Sequence, residues 1–322
     1  LKKLIAAAVM AVASLALPMG LMAGPSQHSA WNFYQVDGKY DNTVLTGIDN
    51  LKKVVGYSYT GSPGGATYAI TSEAPYSRID YVSYPSATHS VAWGLNNQNL
   101  IVGHFGIASA TLPYIRNKGQ YGSLSEPGVE FTGVNEILCP TPNENHCHGQ
   151  DNHSDQLVVG FAPVGSGFQA FEYDYANGQT TWLAPPGAVN SLATGINGKG
   201  YIVGSFETAA GKWEAFYYRY TTGEYTEFSF PGAVKTTALG LNWQSDVVGA
   251  YLDAAGKRHG FIYWTPFNKS NLVSVDEPNA VGDTVIYGIN DHDQMAGDYQ
   301  GADQKTHGFF AQPNPCNLGC LK

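Results

Sequence analysis

"WNFYQVDGKYDNTVLTGIDN", residues 31–50, holds the end of one structural unit and the start of the next. Its first part, "NFYQVDG" (32–38), resembles "EFSFPG" (227–232), which precedes a Gly-x-Asn signature later in the chain. Nine positions separate Gly38 from Gly47, and eight separate Gly232 from Gly240. A tail without a body is explained at the other end of the chain. After "HGFFAQP" (307–313) the last unit lacks a closing strand. The N-terminal strand is therefore expected to complete the last unit and shut a ring, which removes the sheet edges that invite aggregation. An open stack of repeats would instead need polar capping units at both ends, and the sequence offers none.

The signature recurs as "GIDNLKKVVG" (47–56), "GLNNQNLIVG" (94–103), "GINGKGYIVG" (195–204), "GLNWQSDVVG" (240–249) and "GINDHDQMAG" (288–297). A sixth copy begins "GVN" at Gly133 and resumes as "QLVVG", ending at Gly160, around an 18-residue insertion. The second glycines are spaced 47, 57, 44, 45 and 48 apart, and removing the insertion takes 57 to 39. A further strand follows each copy: "YAITS", "LPYIR", "AFEYDY", "AFYYRY", "GFIYW" and "GFFAQ". Most copies add a fourth, such as "TTWLAPPG" or "LVSVDEP". Periods of 40–50 residues with four short strands each specify a β-propeller. The expected fold is all-β: a six-bladed β-propeller with four antiparallel strands per blade.

Two positions before each signature glycine stand Leu45, Ala92, Phe131, Ala193, Ala238 and Ile286. An innermost strand is covered on both faces by neighbouring blades, so this column should be apolar, and it is. Three positions before the glycine the column is mostly apolar or Thr, with Glu130 the exception. The Asn or Asp after each glycine suits a tight turn. Phe171, Tyr173, Tyr175, Phe216, Tyr218, Tyr220, Phe261 and Tyr263 alternate along third strands and are expected to pack between blades, with a sugar-stacking surface as the alternative.

The string "GINGKGYIVGSF … EAFYYRYTTGEYTEFSFPGA" resembles the HAF-type extracellular repeat family of bacteria. The motif behind that name is present as "HGF" at 259–261 and 307–309. The resemblance covers nearly all of the chain after residue 23, with "LPYIR" in the second unit departing most. It implies export and a β-repeat fold, and it implies no catalytic residues.

Residues 1–23 read as a secretory signal: Lys2 and Lys3, an uncharged run over 4–17, then Pro18 and Gly20. Residues 24–31 are a linker, 32–312 the propeller and 313–322 a tail. No later run is long and apolar enough to span a bilayer, and the location expected is extracellular or periplasmic. The net charge is −9. Removing two lysines with residues 1–23 makes it −9 − 2 = −11, a surface that repels phosphate backbones and excludes nucleic acid as a partner. In an exported chain the four cysteines read as disulfides. Closeness favours Cys139 with Cys147 and Cys316 with Cys320 among the three pairings that four cysteines allow.

Loops entering the inner strand and loops between strands two and three share one face. Five positions before each signature lie Asn42, His89, Gly128, Asn190, Lys235 and Asp283. Just after each second glycine lie Tyr57, His104, Phe161, Ser205, Ala250 and Asp298. The candidate ligand-binding residues are Asn42, His89, His104, Asn190, Lys235, Asp283 and Asp298, grouped as a funnel at the channel mouth. Three readings stay open: a solvated rim, a binding site for a small molecule, glycan or surface protein, and a hydrolase or lyase site pairing a base with an acid. A structural role at the cell surface is a further alternative. The insertion carries His146, His148, Asp151, His153 and Asp155 beside Cys139 and Cys147, which suits either a disulfide-pinned loop or a divalent metal. "NDHDQ" (290–294) lacks the Gly and distal Glu of a calcium loop and reads as a turn. No phosphate loop, dinucleotide fingerprint, nucleophile elbow or His-Glu-x-x-His occurs. No cofactor is therefore expected, and the chain reads as a monomer.

Overall fold

The structure is a computed structural model that describes residues 30–61, 65–108, 110–135, 157–267 and 271–314. The N-terminal segment expected to be a signal, the His- and Cys-bearing insertion and all four cysteines lie outside the described residues. Six four-stranded antiparallel sheets stand around one axis as a β-propeller. Inner strands, in chain order, are Asn42–Ile48, His89–Leu95, Glu130–Val134, Asn190–Ile196, Lys235–Leu241 and Thr284–Ile289. The first five blades run outward in sequence. The sixth consists of Thr284–Ile289, Met295–Gln300 and Thr306–Pro313, with Trp31–Gln35 as its outer strand. The closing pair is in register from Trp31 opposite Pro313 to Gln35 opposite Phe309. The Val36 N–H extends it by donating to the Gly308 carbonyl at 2.8 Å. The ring is thus shut as the sequence implied, and its central dimension is set by glycine.

A Cβ placed on Gly133 would lie 3.1 Å from the Gly195 Cα, one on Gly195 3.2 Å from the Gly240 Cα, one on Gly240 3.2 Å from the Gly288 Cα, and one on Gly288 3.1 Å from the Gly47 Cα. The signature glycines touch one another around the axis. Side chains there would force the inner strands apart. The residue before each glycine is the extra residue of a β-bulge, because the pairing of inner and second strands slips at this point in all six blades. The bulge turns that side chain out of the ladder. Three of the six use it to bind the next blade: Thr46 Oγ1 donates to the Ala92 carbonyl at 2.8 Å, Thr132 to Ala193 at 2.7 Å, and Thr194 to Ala238 at 2.8 Å.

The turn residue also reaches across. Asn96 Nδ2 donates to the Asn135 carbonyl at 3.0 Å, Asn197 to Asn242 at 2.9 Å, and Asn290 to Asp49 at 2.9 Å. Each amide oxygen meanwhile caps its own turn, as Asn290 does by accepting from the backbone N–H of His292 and Gln294. Asp49 has no amide to donate. At its junction the Asn50 N–H instead donates to Asn97 Oδ1 at 2.8 Å.

Between blades the apolar columns meet as expected. Leu45, Ala92, Phe131, Ala193, Ala238 and Ile286 are essentially inaccessible. Phe171 and Tyr173 pack between blades two and three, Phe216 and Tyr218 between three and four, and Phe261 and Tyr263 between four and five. Burial of each such ring contributes about 1.5–3 kcal/mol. Tyr175 departs from the expectation: it is 41% exposed. Its strand ends at Asp174, and Tyr175 falls in the following turn, where only its hydroxyl end comes close to Gly122 at the edge of blade two.

Gly240→Ala is the sharpest test of the glycine ring, since the new Cβ would lie 2.5 Å from the Tyr287 carbonyl oxygen of the next blade. Thermal or urea unfolding should show a loss of about 1–3 kcal/mol, the scale of an overpacked core. Wild-type stability would show that the inner strands can spread.

Candidate functional site

The two ends of the axis differ in chemistry. Around the Gly-x-Asn turns the middle residue of each signature points to the channel: Ile48, Leu95, Val134, Ile196, Leu241 and Ile289 are all aliphatic and buried. With Asn50, Asn197, Asn242, Trp243, Asn290 and Asp291 they surround a cavity of about 60 Å³, enough space for very few waters. The six aliphatic positions do not distinguish one blade from another.

The opposite end has lost that symmetry. Its wall is built from the residues just after the second glycines and from the bulge positions of blades two, five and six. Tyr57, Tyr59, Trp93 and Tyr287 cluster with Val44, Leu239, Ala250 and Val285. Tyr57 stands edge-on to Trp93 with centroids 6.0 Å apart. Two polar groups are set into this aromatic wall.

The first lies between blades two and three. His104 Nδ1 is 3.2 Å from Glu130 Oε2, both side chains being nearly buried. The same nitrogen is 3.1 Å from Trp93 Nε1. One nitrogen cannot accept the Trp93 proton and donate to Glu130 at once. The imidazole therefore has two alternative hydrogen-bonding states. His89 stands edge-on to it, 6.1 Å away.

The second lies between blades five and six. Arg258 clamps Asp283: its Nε and Nη2 reach Oδ2 at 2.7 and 2.6 Å, and its backbone N–H donates to Oδ1 at 2.9 Å. Asp298 is buried behind this pair and accepts from the Tyr287 hydroxyl. Burial pushes its carboxyl up to about 7, against the opposing pull of the Arg258 charge and the Tyr287 hydrogen bond. Burial also raises the Tyr57 and Tyr287 phenols far above their ordinary range, so both remain protonated donors. Lys235, whose Nζ lies 4.8 Å from the Trp213 ring centre, is lowered to about 8 by burial and then by the nearby Arg258 charge. A carboxyl near 7 and an amine near 8 are both poised to exchange protons at neutral pH.

Of the residues singled out in the sequence, His89, His104, Asp283 and Asp298 belong to these two groups, and Lys235 adjoins the second. Asn42 is placed differently. It is buried, donates to the Gly61 carbonyl at 3.0 Å and accepts from the Thr306 N–H at 2.9 Å, so it ties blade one to blade six. Asn190 opens the inner strand of blade four and is engaged locally, donating to Glu207 and accepting from the Phe168 N–H. Among the wall residues not singled out are Glu130, Arg258, Tyr287 and Trp93. Glu130 had a signal, as the one acid in an otherwise apolar column. Arg258 had a similar one: the equivalent positions three residues before the third-strand Phe, Tyr or Ile are Thr67, Thr111, Phe168, Trp213 and Thr306. Trp93 and Tyr287 gave none, because a large ring at a bulge position reads as core.

Among the described residues no helix is long and apolar enough to cross a membrane, and no cluster of His, Cys, Asp and Glu is arranged for a metal. No family model matches the chain, and no curated protein matches it. Solved structures do. TolB from Acinetobacter baumannii superposes with a TM-score of 0.55 at 10% identity, over 82% of this chain and 64% of that one. The chain therefore spans under two thirds of that protein's length. A putative TolB from Agrobacterium tumefaciens superposes with a TM-score of 0.51 at 11% identity, over 86% of this chain and 100% of that one. At such identities the likeness is one of fold.

Titration of Asp298 tests the electrostatic account. Carboxyl carbon NMR should place its midpoint near 7. In Arg258→Gln the midpoint should rise further, because a charge that favours the carboxylate has gone. A midpoint in the ordinary carboxylate range would show that Asp298 is solvated.

Proposed function

We propose that this propeller is a non-catalytic binding protein whose ligand is a small polar molecule held at the His104–Asp298 end of the channel. The observation that carries this reading is the asymmetry of the axis. At the Gly-x-Asn end the six channel-facing positions are uniformly aliphatic and the buried Asp49, Asp246 and Asn side chains serve the turns, whereas the other end buries Glu130 and Asp298, beside His104 and phenols, at positions the repeat does not share. Stability alone favours the first solution, since buried polar groups are stabilising only when fully partnered. Retention of a costly polar wall at one end is the usual mark of a binding site. The same reading includes export, on the basic and apolar start of the chain, and kinship with HAF-type repeats, on the Gly-x-Asn and HGF motifs.

One observation favours an enzyme as the second reading. Asp298, at about 7 and beside Tyr287 and Arg258, has the proton affinity of a general base. Turnover that rises through pH 7 and is lost in Asp298→Asn would mark catalysis, whereas saturable binding without turnover marks the first reading.

Trp93 supplies the probe. Titration of the purified protein with amines, polyols and short peptides should change its emission for the correct class. Glu130→Gln and Asp298→Asn should each weaken that ligand by roughly tenfold or more, the scale of a charge-assisted hydrogen bond. Unchanged affinity in both variants would refute binding at the channel mouth.

A further inference from the structure

The repeats allow each blade to be compared with its sisters at the outer rim of the polar face. In blade five His259 faces Tyr251 across the second and third strands, with rings 5.1 Å apart. Its Nδ1 is 2.7 Å from Asp276 and its Nε2 3.2 Å from Asp253. Blade six repeats this. His307 faces Tyr299, with Nδ1 2.9 Å from Asp37 and Nε2 3.0 Å from Asp303. In both blades a tyrosine, the histidine of HGF and two aspartates occupy the space between the hairpin of strands two and three and the loop that leaves strand four.

Blade three keeps the backbone and changes the side chains. Gln169 stands in the histidine's place and faces Ala162 instead of tyrosine. Leu183 pairs with Ala170 as Val275 pairs with Gly260, so Ala184 occupies the place of Asp276. Three large or charged groups have become Ala, Gln and Ala. Beside two of these positions, Gln169 and Ala184, lies a groove of about 400 Å³ lined also by Ser166, Phe168, Val189 and Asn190, among others. Not one of the lining residues is ionisable, although each sister site holds three ionisable groups in its His and two Asp residues.

We propose that this groove is a second ligand site, distinct from the channel mouth, and that it takes one uncharged pyranose ring of a saccharide. The volume falls in the range of small-molecule pockets. No lining residue is charged and the nearest charge, Glu207 behind Asn190, is negative, so an anion would find no counter-charge to offset its desolvation. The Gln169 amide offers both a donor and an acceptor and has no partner among the described residues. Ser166 adds an exposed hydroxyl. Phe168 is held by Trp213, stacked at 6.0 Å, and by Phe161 at 5.8 Å, which gives the C–H face of a sugar a fixed aromatic surface. Val164 and Val189, 43% and 60% exposed, leave the entrance open. Asn190 is wall, not contact, because both ends of its amide are already engaged.

The test uses the full chain with glucose, galactose, mannose and N-acetylglucosamine as probes, and glucuronate as the charged control, read by saturation-transfer NMR and calorimetry. At least one neutral sugar should bind, and glucuronate should bind more weakly. Gln169→Ala should weaken the neutral sugar by roughly tenfold, the scale of lost hydrogen bonds. The triple change Ala162→Tyr, Gln169→His and Ala184→Asp, which installs three of the four blade-five groups, should abolish binding. No neutral sugar bound at about 10 mM, the weak end of useful affinity, would overturn the proposal. So would equal affinity in Gln169→Ala or in a triple variant that melts like the wild type, or preference for glucuronate. None of these outcomes bears on the channel-mouth reading, whose variants are separate.

Discussion

The close approach of six glycines at the axis is the constraint from which the rest of the structure follows. Strands that meet at van der Waals distance through bare Cα atoms leave no room for side chains, so each inner strand must bulge to turn its next residue elsewhere. The bulge presents Thr46, Thr132 and Thr194 to the carbonyls of the following blades, and Trp93, Leu239 and Tyr287 to the channel. The Asn after each glycine then lies close enough to donate to the next turn. Glycine, bulge and asparagine form one device for joining neighbouring blades, repeated around the ring.

That device fixes one end of the channel and leaves the other free. The Gly-x-Asn end must carry aliphatic residues and tight turns wherever blades meet. At the opposite end the side chains can vary without loosening the ring. Charge accumulates there across the seams between blades: His104 with Glu130, and Arg258 with Asp283. Each pair joins residues from different blades, which is how a repeat protein assembles a site no single repeat encodes.

Much of this was legible in the sequence because it is periodic. Leu45, Ala92, Phe131 and their equivalents announce the inner strand by being apolar in every copy. Residues 32–38 announce closure by resembling a strand that the last copy lacks. What escaped reading was contact between copies. The cross-blade donation by Asn96 or Asn290 looks in sequence like an ordinary turn. Glu130 was visible as an exception, but its partner lies 26 positions away on another blade. Tyr175 followed the strand's alternation on paper, yet the strand had already ended. The groove at Gln169 is invisible along the chain and emerges when blade three is set against blades five and six. In each case the missing information was the register between units, which hydrogen bonding fixes and composition does not record.

Closure of the ring is the claim on which the site descriptions rest, because His104, Asp298 and the others converge only if blade six meets blade one. It is tested most directly by cross-strand nuclear Overhauser effects, with amide exchange recorded on the same sample. The account predicts contacts between Phe33 and Ala311 and between Gln35 and Phe309, together with a slowly exchanging Val36 amide bonded to Gly308. Absence of those contacts, with residues 31–36 exchanging as fast as unstructured chain, would contradict it.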